Sequence, residues 1–129
     1  LPAMVKGSKT NALVDLIDIY PTVVELLDLE LPEHHLAGES LVPLLKDPSL
    51  DGKSHVFLKN GKGYTIQTQE YSYTEFIDNN NETFASMLYD HRTDGDENIN
   101  VVNKANYADA VTQLSTILHT EYVSNIIGE

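Results

Sequence analysis

Tyr64-Thr65-Ile66-Gln67-Thr68 and Tyr71-Ser72-Tyr73-Thr74-Glu75-Phe76 decide the fold. Each alternates β-branched or aromatic residues with polar ones, the period-two pattern of a half-buried strand. Gln69-Glu70 between them is a tight turn. Upstream, His55-Val56-Phe57-Leu58-Lys59 reads as a strand, and Asn60-Gly61 is a hairpin turn because both residues tolerate positive φ. Downstream, Asp78-Asn79-Asn80-Asn81-Glu82 is a polar loop, and Ala85-Ser86-Met87-Leu88-Tyr89-Asp90 returns as a fourth strand. Four strands with short connections make an antiparallel meander with one face free to meet a helix. From Tyr107 onward, Ala110, Val111, Leu114, Ile117 and Leu118 supply that helix with the i, i+3, i+4, i+7 rhythm. Asn106 is its candidate cap, and Gly128 lies near its end. The expected class is α+β, a four-stranded antiparallel sheet packed on a C-terminal helix.

The leading part reads differently. Ala12-Leu13-Val14-Asp15-Leu16-Ile17 is an apolar run consistent with a strand end or a helix start. Asp18 is then a candidate N-cap, with Pro21 tolerated in the first turn. Val23, Val24, Leu26, Leu27 and Leu29 give a wide apolar face before Pro32 stops the helix, so a helix is expected around 18–29. Gly38-Glu39-Ser40 is a turn with a second cap, and a short helix is expected around 40–46, again with Pro43 in its first turn. Asp47-Pro48-Ser49-Leu50-Asp51-Gly52-Lys53 is rich in breakers. The boundary between two structural units is expected there, giving 1–47 and 48–129.

Composition narrows the function. At 129 residues with 41% apolar content, the chain can bury a modest core. Twenty acidic residues against eight basic ones give a net charge of −12. Such a surface repels phosphate backbones and anionic membranes, so neither nucleic acid nor membrane is an expected partner. Cysteine is absent, which excludes disulfides and thiolate metal sites. Leu1-Pro2-Ala3-Met4 shows no initiator methionine, signal peptide or membrane span, and the chain reads as a piece of a longer polypeptide.

Four motifs follow one another in a fixed order. They are Asp18-Ile19-Tyr20-Pro21-Thr22, then Gly38-Glu39-Ser40-Leu41-Val42-Pro43-Leu44-Leu45. Gly63-Tyr64-Thr65-Ile66-Gln67-Thr68 runs into Tyr71-Ser72-Tyr73, and Leu88-Tyr89-Asp90 is followed by Asp94, Glu97 and Asn100. Over nearly its whole length this order resembles the C-terminal part of a type I, formylglycine-dependent sulfatase of the alkaline phosphatase superfamily, most closely the iduronate-sulfatase-like branch. The resemblance implies that residues 1–47 are the tail end of the sulfatase α/β/α domain and 48–129 its C-terminal subdomain. It further implies a parent enzyme that uses formylglycine and Ca²⁺, with both supplied by upstream residues.

The reactive motif itself, C/S-x-P/A-x-R, is missing. Every serine lacks the required neighbours, and Arg92 is the only arginine. The Asp-Asp pair that opens the family's metal site is missing as well. No residue here is therefore expected to be catalytic or to bind metal. Asp90-His91-Arg92-Thr93-Asp94-Gly95-Asp96-Glu97 superficially resembles a calcium loop, but Arg92 stands at the third position and no Glu closes the twelfth. By the resemblance, Asp18, Pro21, Tyr89, Asp90, Asp94, Glu97 and Asn100 are structural anchors, the last three bonding to loop backbone, with Gly95 replacing the family's usual Pro. His34 and His35 project to different sides of the backbone and suit a surface loop rather than joint ligation. Together with Gln67 and Ser72, where relatives often carry Arg, they are the candidates for the substrate rim. Simple drift on an exposed strand face accounts for the neutral pair slightly better than a rim role does. Asn81-Glu82-Thr83 fits an N-glycosylation acceptor.

Two functions of different class are consistent with this pattern. One is the C-terminal part of a sulfuric ester hydrolase acting on a sulfated carbohydrate, with a scaffold and pocket-wall role and no turnover of its own. The other is a binding module that reuses the fold without chemistry; a phosphatase or phosphonate hydrolase of the same superfamily is a further alternative. The implied partner is the remainder of the sulfatase chain, and the implied location periplasmic or extracellular. Without that remainder, Val23, Leu26, Leu27, Leu41 and Leu44 are expected to form an exposed apolar patch, leading to self-association or a disordered N-terminal third.

Overall fold

The structure, a computed structural model, describes residues 7–127, so the readings at Met4 and Gly128 lie outside the described residues. It divides into two units between Ser54 and His55. Residues 48–54 stay with the first unit, because Leu13 pairs with Gly52 and Lys53 in short β-bridges and the Lys53 ammonium reaches the Asp18 carboxylate at 2.6 Å.

In the first unit the apolar run resolves into a 3-10 turn, Leu16–Asp18, leading into helix α1, Ile19–Leu26. The helix is shorter than its apolar pattern suggests. Asp28 adopts φ 53, and the Leu29 N–H turns back to the Val24 carbonyl at 3.0 Å, the Schellman closure that ends a helix. Asp18 stands at the N-cap position of α1 but makes no side-chain cap bond; its side chain is turned inward and fully buried. Helix α2 spans Val42–Lys46 with Pro43 in its first turn, and Ser40 Oγ accepts the Val42 N–H at 3.2 Å. Leu26, Leu41 and Leu44 are half-buried, whereas Val23 and Leu27 are exposed.

The second unit is a four-stranded antiparallel meander in the order β1-β2-β3-β4, comprising His55–Asn60, Gly63–Thr68, Tyr71–Ile77 and Thr83–Asp90. The first turn is one residue later than the Asn-Gly reading, at Gly61-Lys62, with Asn60 opposite Gly63. Gly61 has φ 59, and glycine at the first central position suits a two-residue hairpin with a II′-type turn. The second turn is at Gln69-Glu70, where Thr68 Oγ1 accepts the N–H groups of Glu70 and Tyr71.

The register sorts side chains by face. Ile66 stands opposite Tyr73, and Tyr73 opposite Leu88; these residues face helix α3, Ala108–Leu118. Leu114 and Leu118 from the helix close the core, in which Ile66, Leu88 and Leu118 are wholly buried. On the opposite face Val56, Gln67, Ser72 and Tyr89 form one row and Leu58, Thr65, Thr74 and Met87 the next. Asn106 does not cap the helix: a 3-10 turn, Ala105–Tyr107, whose N-cap is Lys104, precedes α3, and the N-cap of α3 is Tyr107. The helix then widens into a π segment, His119–Val123, before α4, Ser124–Ile127. The Phe57 ring stacks on Tyr122 of the π segment, with centroids 4.8 Å apart.

Candidate functional site

Three constellations carry polar chemistry. In the first unit, the buried Asp18 carboxylate accepts the Asp15 N–H at 2.8 Å, the Glu39 N–H at 2.9 Å and the Lys53 ammonium at 2.6 Å. Thr22, one turn on, donates its hydroxyl to the Asp18 carbonyl and accepts the Leu41 N–H at 2.8 Å. Helix α1 thereby straps residues 38–41 against itself. Gly38 fits because a Cβ there would lie 2.1 Å from the Ile17 carbonyl oxygen. Burial pushes the Asp18 carboxyl up, but the Lys53 bond and the two N–H donors outweigh it, leaving it below its ordinary range. This strap closes one side of a cavity of about 590 Å³ lined by Pro21, Val24, Glu25, His34, His35 and Ser40 among others. His34 and His35 share that cavity; both are exposed.

The second constellation is on β3. Strand phase turns Glu75 toward α3, where it is 3% exposed. Its oxygens accept hydroxyls from Tyr73 at 2.8 Å, Ser115 at 2.7 Å and Thr83 at 2.7 Å, and pair with His119 Nε2 at 2.8 Å. Burial opposes ionisation, yet the bonds from Ser115, His119, Thr83 and Tyr73 together hold the carboxyl below its usual range. The same burial, with Glu75 adjacent, pushes the Tyr73 phenol up. Ser, Glu and His meet here, but in the wrong order for nucleophile activation. The carboxylate stands between hydroxyl and imidazole, so the imidazole does not touch the serine. Glu75 was not among the sequence candidates, although the Tyr71-Tyr73-Glu75-Ile77 phase already placed it inward.

The third lies beyond β4. Asp90, 3% exposed, is gripped by Arg92 through Nε and Nη2 at 2.8 Å each and by the Tyr107 hydroxyl at 3.0 Å. Arg92 also bonds Glu70 and the Tyr71 hydroxyl. Asp94 accepts the Ile99 N–H at 2.7 Å, and Asn100 Oδ1 accepts the N–H groups of Leu88 and Val102. Glu97, with φ 56, differs from its expected backbone role: it bonds His91 Nε2 at 2.7 Å. The Arg92 bonds, chiefly, lower Asp90 from 3.8 to about 2. A depressed carboxyl contributes stability that is complete above its unfolded value and lost as pH falls through its folded one. Acid titration of the chain is therefore expected to weaken this loop between about pH 4 and pH 2, while Arg92→Met removes that part of the transition, as unfolding midpoints across the range will show.

Of the rim candidates, Gln67 and Ser72 are direct cross-strand partners, with Tyr89 opposite Ser72. They belong to the second unit and the histidines to the first. Among the described residues no group of three His, Asp or Glu side chains is placed to hold a metal ion, and no helix is long and apolar enough to cross a membrane. What the three constellations can do chemically is hold backbone and helices in place.

Comparisons with known proteins agree with this geometry. A family described as "N-sulphoglucosamine sulphohydrolase, C-terminal" matches residues 1–123. Arylsulfatase K of Gallus gallus is 28% identical over 132 residues, covering 92% of this chain and 24% of its own length. A structure solved with its substrate D-glucosamine-2-N,6-O-disulfate superposes with a TM-score of 0.75 at 25% identity, covering 91% of this chain and 25% of that one. A phosphonate monoester hydrolase from Silicibacter pomeroyi shares the fold, with a TM-score of 0.73 at 20% identity over 96% of this chain and 28% of its own. The chain thus spans about a quarter of the length of the proteins it matches. With the family match running from the first motif through the terminal helix, this chain belongs to the N-sulphoglucosamine sulphohydrolase C-terminal family, a C-terminal domain of sulfatases.

Proposed function

We propose that this chain is the C-terminal part of a sulfuric ester hydrolase acting on a sulfated carbohydrate, with a scaffold and pocket-wall role. The observation that carries the substrate class is its likeness, over 91% of its length, to a structure holding a sulfated amino sugar. Formylglycine and Ca²⁺ come from upstream residues in this reading; the carboxylates described above are saturated by protein donors and do not fit a metal. His34, His35, Gln67 and Ser72 contribute to the rim, while Asp18, Pro21, Tyr89, Asp90, Asp94, Glu97 and Asn100 hold the framework. An exported enzyme, periplasmic or extracellular, suits such a substrate.

The first unit supports a docked role. Leu16, Ile19, Tyr20, Val23 and Leu27 follow a helical rhythm and are all exposed, Leu16 to 81%. A helix apolar on both sides is normally buried. That stripe packs on the upstream α/β/α domain, and copies of the isolated chain associate through it.

The test compares the longer polypeptide with the 129-residue chain on D-glucosamine 6-sulfate and an aryl sulfate, with Ca²⁺ and with chelator. The longer form is expected to release sulfate in a Ca²⁺-dependent way and the chain alone to release none. Hydrolysis of phosphonate or phosphate esters in preference to sulfate esters by the longer form would overturn the substrate assignment.

A further inference from the structure

Asn60-Gly61 is the single Asn-Gly step in the chain, and it opens the β1–β2 hairpin turn. Both residues are exposed. Among the described residues, neither the Asn60 carboxamide nor the Gly61 N–H has a hydrogen-bond partner. Other asparagines are held or shielded. Asn80 and Asn98 each donate to an aspartate, Asn100 accepts from Leu88 and Val102, and Asn81 is followed by the bulkier Glu82. Neither Asp-Gly step offers the same opening, since Asp94 accepts the Ile99 N–H and Gly52 is bridged to Leu13.

A side chain on the following residue obstructs ring closure between a carboxamide and the next backbone nitrogen, and glycine has none. At Gly61 even the space a Cβ would fill is open, with nothing within 4 Å. Charge favours the same step. Attack requires the Gly61 nitrogen to give up its proton, which nearby cations assist. Lys59-Asn60-Gly61-Lys62 carries two cations and no acid, in a chain of net charge −12. Both ammonium groups lie over rings, Lys59 on Tyr64 at 4.8 Å and Lys62 on Phe84 at 5.9 Å, so neither holds the carboxamide.

We propose that Asn60 is a site of spontaneous modification, converted through a succinimide to aspartate and isoaspartate. The Gly61 nitrogen bonds to Asn60 Cγ, the Cγ–Nδ2 bond breaks, and ammonia leaves with the proton from Gly61. Water then opens the ring. Attack at Cγ restores the ordinary backbone as aspartate; attack at the Asn60 carbonyl carbon routes the chain through Cγ as isoaspartate. The second product adds a methylene to the backbone. A two-residue hairpin loop has no slack to absorb it, because loop length sets register. The pairs Asn60↔Gly63 and Lys59↔Tyr64 therefore part, and edge strand β1 loosens from its turn end.

The experiment ages the 129-residue chain in mildly alkaline buffer beside Asn60→Gln and Asn60→Asp. The chain is expected to release ammonia and gain the mass of a hydroxyl replacing an amino group. Peptide mapping places the change at Asn60, and an isoaspartyl methyltransferase with labelled S-adenosylmethionine marks the isoaspartate. Asn60→Gln, whose ring would be larger and closes slowly, acquires no label at that position. Hydrogen exchange of the aged chain loses protection at Gly63 while β3 keeps its own; Asn60→Asp, with the charge but no extra methylene, stays protected. An intact Asn60 in the folded chain, or conversion only in urea, would overturn the site. Gly63 protection retained in the isoaspartate product would overturn its effect on the hairpin.

Discussion

Glu75→Ala is expected to destabilise the second unit by about 3 kcal/mol, the scale for removing one member of a buried charge network. The substitution leaves Tyr73, Thr83, Ser115 and His119 without the acceptor they share, and stranded buried donors cost about 1–3 kcal/mol each when they cannot turn to water. His119 is substantially exposed and can turn; Tyr73, at 3% exposure, cannot. Glu75→Gln should cost less, because it keeps an oxygen for two of the hydroxyls. Six of the seven tyrosines lie in this unit, so near-ultraviolet circular dichroism during urea unfolding reports it directly. A midpoint unchanged by Glu75→Ala would show that the network contributes nothing net.

Gly38→Ala is expected to be comparably severe in the first unit, about 3 kcal/mol, at the upper end for overpacking. A methyl 2.1 Å from the Ile17 carbonyl oxygen meets backbone, which has no rotamer to escape through. The strap over residues 38–41 must then lift, and the Glu39 and Leu41 N–H groups lose Asp18 and Thr22 as acceptors. Hydrogen exchange at those two amides is the readout. Both should lose protection in Gly38→Ala while the amides of β2 and β3 keep theirs. Retained protection at Glu39 would mean that the strap is held by something other than Asp18.

These two residues also show where a sequence is legible and where it is not. Alternation placed β2 and β3 within a residue of their ends, because one half-buried face imposes period two and a slip would turn every side chain over. The terminal helix was legible for the same reason, through its apolar rhythm up to Leu118. Its continuation as a π segment was not, since widening after Leu118 has no compositional signature. Asp18 takes the N-cap position its sequence suggests, yet its side chain does not make the bond to the first turn that a short acid there normally makes. What turns it inward is a lysine 35 residues away and an N–H 21 residues away, partners that only the tertiary fold supplies. Helix α1 ends three residues before its apolar pattern does, because Asp28 takes the left-handed conformation that glycine or asparagine usually marks. In the loop after β4 the anchors Asp94 and Asn100 were chosen by family likeness, and the structure sets both on backbone N–H groups. The neutral pair Gln67 and Ser72 could be weighed only one residue at a time from sequence. Register sets them opposite each other in one uncharged row with Val56 and Tyr89.

The proposed function is a division of labour in which these residues build and the reactive machinery lies upstream. Its most direct test is sulfate release by the purified 129-residue chain from D-glucosamine 6-sulfate in the presence of Ca²⁺, with the longer polypeptide as positive control. The expected result is release from the longer form and none from the chain above the no-protein blank; chelator-sensitive turnover by the chain alone would contradict the account.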